Sequence, residues 1–225
     1  MISVIIPTYN EKENIVGVLN KICKVLKGIH FEIIVVDDDS PDKTWEIVKK
    51  YKDKKARLLR RQGKKGLASA VIDGFNYSKG DIFVVADADF SHDYEIMPEM
   101  IKAVEQGSDF AVGSRFVKGG GITGWPFKRI LTSKIATLMA KIILKVKVND
   151  PMSGFFAVKK QVFEQIRDKL NPKGYKILLE LLARTKSQKV KEIPYVFKDR
   201  QKGKSKLSGK IISEYIKMIA ELAGK

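Results

Sequence analysis

Short β-branched runs alternate with amphipathic helical segments through the first half of the chain, and this alternation restricts the possible folds most strongly. Parallel strands need a crossover connection between them, and that connection is usually a helix. The predicted strands of this half are residues 3–6, 32–36, 57–59, 82–86 and 110–113. The first helix is predicted at 12–26, and the next three begin near residues 43, 67 and 94. The pattern predicts an α/β fold with a mostly parallel, mixed sheet flanked by helices.

After Ser114 the pattern changes to a glycine-rich loop at residues 119–124. The later predicted elements are a helix at 128–146, a strand at 155–158, two helices, a strand at 192–197, a basic loop and a helix at 207–222. A length of 225 residues fits one α/β domain with a short appendage. We therefore predict a single domain at 1–206, followed by a C-terminal amphipathic helix at 207–225.

The single cysteine, Cys23, lies in an apolar helical pattern, which excludes a disulfide within the chain and a cysteine-based metal site. Met1 leads directly into the first predicted strand, without the basic segment or cleavage site of a signal peptide. No uncharged stretch exceeds ten residues, whereas a spanning helix needs about 20 apolar residues. We expect neither a signal peptide nor a membrane-spanning helix.

The formal net charge of +17 lies entirely in the second half of the chain. Residues 1–114 carry 17 Lys and Arg against 18 Asp and Glu, whereas residues 115–225 carry 26 against 8. Such asymmetry indicates that the second half faces a lipid surface, a phosphorylated substrate or nucleic acid. A lysine-rich surface that serves solubility or heat tolerance is the alternative.

Polar side chains follow three of the predicted strands at the points where those strands end. The candidate site residues at these ends are Pro7, Tyr9 and Glu11 after the first strand, Asp37 and Asp39 after the second, and Asp87, Ala88 and Asp89 after the fourth; all but Pro7 and Ala88 are polar. In an open α/β sheet, ligands bind in the crevice outside the carboxyl ends of the strands. These side chains therefore mark the predicted site.

Asp87 and Asp89 stand two residues apart at a strand end, so that in extended geometry their side chains share a face. Two carboxylates held together favour a hard cation such as Mg²⁺ or Mn²⁺, which also takes phosphate oxygens from a substrate. The pair therefore suggests a diphosphate site. Acidic pairs also occur in ordinary turns and helix caps, so the pair alone does not decide between these readings.

The residues at the other strand ends can likewise be interpreted either as ligand-binding residues or as ordinary structural ones. Tyr9 offers a ring that can stack on a base, and Glu11 can complement the N-terminus of the following helix. Asp37 and Asp39 can accept hydrogen bonds from a ribose or a base, or form a solvated turn. The loop at 61–66 has glycines and cations that suit an anion, and it also fits an ordinary turn between strand and helix.

Taken together, the motifs resemble family 2 glycosyltransferases and, more narrowly, the polyprenyl (dolichyl) phosphate mannose synthases. The resemblance extends over nearly the whole chain. The runs that carry it are VIIPTYNE at 4–11, VVDDDS at 35–40, GLASA at 66–70, DAD at 87–89, GSR at 113–115, GWPFKR at 124–129, DPMSGF at 150–155, GYK at 174–176 and RQKGKSKL at 200–207.

This resemblance implies a set of functional residues and one departure. Asp87 and Asp89 would bind the metal, and Ser91 stands where some members have a glutamine ligand. The nucleotide sugar would contact Pro7, Tyr9, Glu11, Val36, Asp37, Asp39, Asp87, Ala88, Asp89, Lys176, Arg200 and Lys206. The catalytic set would be Asp89, Arg115, Arg129, Lys176 and Arg200. His92 is read as a turn residue beside the metal site.

The resemblance also implies an activity, namely inverting transfer of mannose from GDP-mannose to a polyprenyl or dolichyl phosphate with Mg²⁺ or Mn²⁺. UDP-glucose as donor is the nearest alternative, and a non-catalytic basic module that binds membranes or nucleic acid is a distant one. A lipid phosphate is already ionised near neutral pH, with a second pKa of about 6, and needs no general base. We expect no nucleic-acid partner, because no recognised nucleic-acid motif accompanies the charge.

The helix predicted at 128–146 is basic and amphipathic. Its apolar stripe consists of Leu131, Ile135, Leu138, Met139, Ile142 and Val146. Such a helix can lie in a membrane interface, or it can cover a sheet; the last predicted helix has the same alternatives. We expect the interface, and hence a cytoplasmic protein that is peripheral on an anionic membrane face, with a membrane-anchoring partner subunit as a further possibility.

Overall fold

The computed structural model describes residues 1–172, 174, 176–185, 188–199 and 209–224. Its strands are β1 (Ile2–Thr8), β2 (Phe31–Asp37), β3 (Ala56–Arg60), β4 (Ile82–Val85), β5 (Phe110–Ser114), β6 (Gly121–Thr123), β7 (Phe156–Lys159), β8 (Val190–Pro194) and β9 (Val196–Lys198). Its helices are α1 (Ile15–Val25), α2 (Thr44–Lys49), α3 (Leu67–Tyr77), α4 (Met97–Glu105), α5 (Phe127–Leu144), α6 (Lys160–Ile166), α7 (Ile177–Arg184) and α8 (Gly209–Ala223). Single 3₁₀ turns at Tyr94–Ile96 and Arg167–Lys169 complete the described elements.

Seven strands form one sheet in the order β3-β2-β1-β4-β7-β5-β8. The pairs β3-β2, β2-β1, β1-β4 and β5-β8 are parallel, whereas β7 is antiparallel to both of its neighbours. The α/β class with a mostly parallel, mixed sheet is therefore confirmed.

Helices cover both faces of this sheet. Successive residues of β1 point to opposite faces, so that Val4 packs with the apolar side chains of α1 and α4. Ile5 packs on the other face, with α3, α6 and α7. There the ring of Phe75 stacks on that of Phe83 at 4.7 Å between centroids. Because β1 is buried on both sides, it is an almost continuous apolar run.

The predicted strand at 192–197 was wrong in one respect, since the structure divides it between two sheets. β8 continues the large sheet beside β5, whereas β9 pairs with β6 in a separate two-stranded sheet. Tyr195 lies between them, and its N–H donates to the carbonyl of Ser114. β6 falls within the predicted glycine-rich loop, where Gly120 packs so closely on Ser114 that a Cβ would lie 2.5 Å from its carbonyl oxygen.

Two helix boundaries also differ from the predictions. α1 begins at Ile15 instead of residue 12, because Asn10, with φ of 62°, starts a turn before it. α5 ends at Leu144, since Lys145 adopts a left-handed conformation with φ of 54°, and the buried Val146 follows the helix. Within the described residues, no helix combines the length and the apolar character needed to cross a membrane.

Candidate active site

The carboxyl ends of β1, β2 and β4 meet at one edge of the sheet, because these three strands are parallel neighbours. The segments that leave them carry Tyr9, Asp39 and the run from Asp87 to Asp89. The topology therefore brings the predicted strand-end residues to one crevice, as the rule for open α/β sheets requires.

The turn after β4 places the two aspartates of the predicted metal site. Asp89 is buried, and its Oδ1 accepts a hydrogen bond from the N–H of Ser91 at 3.0 Å. The Ser91 hydroxyl is buried too, and it has no hydrogen-bond partner among the residues that the structure describes. A buried oxygen in this state is available to a cation or to its bound water. Two carboxylates with this hydroxyl therefore fit a hard divalent ion.

His92 is more than the predicted turn residue, because its side chain is buried directly behind Asp87. Its Nδ1 accepts a hydrogen bond from the N–H of Asp87 at 3.1 Å, and its ring stacks on that of Phe155. Burial lowers the pKa of His92, against the opposing effect of nearby carboxylates. The sequence placed His92 beside the metal pair but carried no signal for this burial, which depends on a residue 63 positions later.

Asp37 and Asp39 have different environments, although both follow β2. Asp37 is fully buried and accepts hydrogen bonds from the hydroxyl of Thr8 and from the N–H and hydroxyl of Ser40, at 2.7–2.8 Å. These contacts fix the loop after the strand. Asp39 is partly exposed and pairs with Arg60, whose guanidinium stacks on Trp45 at 3.6 Å. Of the two, Asp39 is therefore the one whose side chain a ligand can reach.

The remaining predicted nucleotide residues lie along the same edge. Tyr9 is half-buried, with the amino group of Lys65 5.1 Å from its ring centre. Glu11 accepts a hydrogen bond from the Asn14 side chain at 2.8 Å, which supports its role at the start of α1. Pro7 is half-buried, whereas Val36 and Ala88 are buried in the walls.

The loop at 61–66 does not present Arg61 to an anion. The guanidinium is buried, donates to the Asp38 carboxylate, and lies 3.1 Å from Asp73. Asp38 also accepts the N–H of Gly66 at 2.8 Å. Since two carboxylates already neutralise Arg61, this group holds the loop in place.

Arg115 is held by a residue to which the sequence assigned no role. Asp150 is fully buried, and its carboxylate accepts hydrogen bonds from Nε and Nη2 of Arg115, each at 2.7 Å, and from the backbone N–H of Arg115 at 3.0 Å. The N–H of Asp150 in turn donates to Glu192 at 3.1 Å. The run at 150–155 in which Asp150 lies was the available signal.

The other predicted cationic side chains differ in their contacts and in their burial. Arg129 stacks on Trp125 at 3.8 Å and lies 3.3 Å from Asp199, while its Nε is buried without a partner among the described residues. Lys176 is half-buried just before α7. Burial, followed by the charge of Arg115, lowers the pKa of Lys176 to about 8. Arg200 and Lys206 lie outside the described residues.

Beside Arg115, a cavity of about 540 Å³ opens against α5. Its lining combines apolar side chains such as Phe116, Ile130 and Leu138 with the cations Lys134 and Lys141. A cavity that offers both apolar walls and positive charge suits an amphiphile with an anionic end.

Most of the apolar stripe predicted on α5 is exposed, and Met139 is its one half-buried member within the helix. Phe127 is 77% exposed and Ile142 is 67% exposed, and Leu131, Ile135 and Leu138 are also exposed. Within this helix only Thr137 and Ala140 are buried. The alternative that this stripe covers the sheet is therefore wrong, and Val146, predicted as part of the stripe, is buried beyond the helix end.

Comparisons with known proteins agree with the predicted family. Residues 3–167 match the model described as glycosyl transferase family 2. The chain is 50% identical over 224 residues to the dolichol-phosphate mannosyltransferase of Pyrococcus furiosus, covering 98% of this chain and 63% of that protein. It is 35% identical over 227 residues to the polyprenol monophosphomannose synthase of Mycolicibacterium smegmatis, covering 97% of this chain and 85% of that protein.

Among solved structures, glucosyl-3-phosphoglycerate synthase from Mycobacterium tuberculosis, in complex with Mn²⁺, UDP and phosphoglyceric acid, has a TM-score of 0.75. The likeness covers 100% of this chain and 78% of that one at 20% identity. At such low identity the likeness shows a common fold.

Proposed function

The chain belongs to glycosyl transferase family 2, and on that premise we propose that it transfers mannose from GDP-mannose to a polyprenyl or dolichyl phosphate with inversion at the sugar. The names of the Pyrococcus and Mycolicibacterium relatives support this acceptor and this sugar. The observation that carries the proposal is the buried Asp89 with Asp87 at the crevice edge, beside a buried Ser91 hydroxyl that has no partner in the part of the chain that the structure describes. The chain spans 63% of the Pyrococcus relative.

The donor side of the site consists of the metal residues and the nucleotide residues. Asp87 and Asp89 would hold Mg²⁺ or Mn²⁺, with Ser91 as a direct ligand or as the holder of a bound water. Bound there, the ion supplies positive charge to the departing diphosphate. Tyr9 would stack on the base, and Asp39 would accept a hydrogen bond from it or from the ribose. Asp37 supports this pocket from within, through Thr8 and Ser40.

The acceptor side consists of Arg115, Arg129 and Lys176, together with the cavity beside α5. An oxygen of the lipid phosphate would attack the anomeric carbon while the bond from that carbon to the diphosphate breaks, and the bonding electrons leave with the diphosphate. No proton has to be removed, because the phosphate is already ionised. The cations bring two anions together, and with a pKa of about 8 Lys176 is mostly charged at pH 7. Arg200 belongs to the same proposed set.

The exposed apolar stripe of α5 would lie in the interface of an anionic membrane. Lysines flank the stripe, as they do on helices that lie at lipid headgroups. The cavity beside Arg115 opens against this same helix, so a lipid acceptor could enter without leaving the membrane. The protein would then be peripheral on the cytoplasmic face.

A panel of nucleotide sugars tests the proposal. The chain is incubated with polyprenyl phosphate in vesicles, Mn²⁺ or Mg²⁺, and GDP-mannose or UDP-glucose, and the labelled lipid product is extracted. We expect transfer from GDP-mannose that EDTA abolishes. Transfer from UDP-glucose alone would replace the donor in this proposal, and transfer that survives EDTA would overturn the role of the metal.

A further inference from the structure

His92 is a buried imidazole whose contacts converge on one side chain of the proposed metal site. It is 5% exposed, and its Nδ1 accepts the backbone N–H of Asp87 at 3.1 Å. Because Nδ1 accepts, the ring proton of the neutral form is on Nε2. This Nε2 lies 3.6 Å from Oδ2 of Asp87, so that one ring faces both the backbone and the carboxylate of the same residue.

The ring is itself fixed by an aromatic cage. It stacks on Phe155 with 4.9 Å between centroids and 7° between planes, and the rings of Tyr195 and Phe197 meet it edge-on at 5.8 and 6.0 Å. Aromatic contacts at these separations restrict a ring to one orientation. His92 therefore has little freedom to turn away from Asp87.

Gly154 lies beside both of these groups. A Cβ on Gly154 would lie 3.4 Å from Oδ2 of Asp87 and 3.4 Å from Cε1 of His92. The run at 150–155 thus touches the metal residue and the imidazole together, and its first residue, Asp150, holds Arg115. One segment connects the donor side to the acceptor side.

We propose that His92 is a positioning residue, which sets the main chain and the carboxylate of Asp87 for a divalent cation and, through Phe155, holds the metal residues in register with Arg115. This inference depends on the metal site of the proposed function. Residues behind a metal ligand typically change metal affinity or activity by about 10- to 100-fold when they are replaced.

Two substitutions at His92 distinguish the contribution of its hydrogen bond to Asp87 from that of its aromatic ring. His92→Phe keeps an aromatic ring against Phe155 but cannot accept from the Asp87 N–H. In His92→Asn the side-chain oxygen can take the place of Nδ1. Tyr195→Phe is the matched control, because it alters the same cage without touching Asp87.

The readout is Mn²⁺ affinity in the presence of GDP, or of UDP in a parallel series, measured from the electron paramagnetic resonance signal of free Mn²⁺. We expect His92→Phe to weaken Mn²⁺ binding by at least about 10-fold. His92→Asn should recover most of that loss, and Tyr195→Phe should bind like the unsubstituted chain. In turnover, His92→Phe should raise the Mn²⁺ concentration at half-maximal rate and largely preserve the rate at saturating Mn²⁺.

The unfolding midpoint of each variant, measured without metal or nucleotide, separates local positioning from loss of fold. If His92→Phe is poorly folded, Phe155→Leu loosens the ring from its other side and should weaken Mn²⁺ binding several-fold. A folded His92→Phe that binds Mn²⁺ as tightly as the unsubstituted chain would overturn the inference about His92 and leave the proposed function unaffected. An unsubstituted chain that binds no Mn²⁺ with either nucleotide would instead overturn the metal site of the proposed function.

Discussion

The proposed donor side and the proposed acceptor side of the crevice differ in how their charged side chains are paired. On the donor side, Asp37 and Asp38 are buried, and hydroxyls, N–H groups and Arg61 satisfy them. On the acceptor side, Arg115 has one such partner, and α5 beside it exposes apolar side chains and lysines. The donor side is thus built from internal contacts, whereas the acceptor side presents a surface that suits an amphiphilic, anionic partner.

The Arg115–Asp150 pair is the exception on the acceptor side, and breaking it should have the largest effect. Asp150→Ala leaves a buried guanidinium without its carboxylate, which should lower the free energy of unfolding by about 3–5 kcal/mol in urea titrations. Asp73→Ala is the control on the donor side, since Arg61 keeps Asp38; we expect a loss of about 1 kcal/mol or less. Equal decreases in the free energy of unfolding of the two variants would show that the Arg115–Asp150 pair stabilises the fold no more than the Arg61–Asp73 pair does.

Asp89→Asn tests the donor side while keeping the side-chain volume. Loss of the negative charge should lower kcat/KM for the nucleotide sugar by about 100-fold, because the departing diphosphate loses its metal partner. The assay is single-turnover transfer at saturating acceptor. Asp93→Asn, at an exposed turn four residues later, is the matched control and should react like the unsubstituted chain. Full activity of Asp89→Asn would contradict the metal assignment.

The exposed stripe of α5 can be compared directly with an exposed apolar residue of the first half. Ile135→Glu places a carboxylate on the stripe, and Val16→Glu makes the same change on α1, where Val16 is 40% exposed. Sedimentation with anionic vesicles should show about tenfold weaker binding for Ile135→Glu, which corresponds to one lost apolar contact. Similar losses in both variants would indicate binding by net charge alone.

A change of pH should have a smaller effect on the kcat/KM for the lipid phosphate. Because burial lowers the pKa of Lys176 to about 8, this side chain is charged below that pH and becomes neutral above it. The kcat/KM for the lipid phosphate should therefore fall several-fold between about pH 8 and pH 9. Lys176→Arg, whose pKa stays above about 12, should move this decline to higher pH. If Lys176→Arg has the same pH profile as the unsubstituted chain, the charge of Lys176 does not act on the acceptor.

The two sides were also unequally predictable from the sequence. Strand-end carboxylates such as Asp87 and Asp89 follow apolar runs directly, so local pattern was enough to place them in one crevice. The inward turn of Arg61 and the burial of Asp37 depend on partners in other segments, which a local pattern does not contain. The sequence therefore predicted that these strand ends share one edge of the sheet, but it did not predict what each carboxylate contacts.

Dependence on partners in other segments also explains why the second sheet and the burial of His92 were not predicted. A single extended run at 192–197 gives no sign that Tyr195 divides it, since the division depends on its contact with Ser114. His92 follows Asp89 by three residues, yet the burial of its ring depends on Phe155. For α5, the pattern predicted a helix but extended it to Val146, which lies beyond the helix end, and a pattern alone cannot say which surface the apolar stripe meets.

The antiparallel β7 also has a consequence for folding order. Its pairing with β4 joins Ile82 to Lys159, so the sheet closes only across a long intervening stretch of chain. Loop-closure entropy makes such distant pairings slow to form. The pairing of β1 with β4, which joins Ile2 to Ile82, spans a similar length of chain, whereas β1 pairs with β2, and β2 with β3, over much shorter separations. The segment that secures His92 and Arg115 enters the sheet through β7. We therefore expect β1, β2 and β3 to order early in refolding, and the residues after β4 to come into register with Arg115 only when β4 and β7 join the sheet.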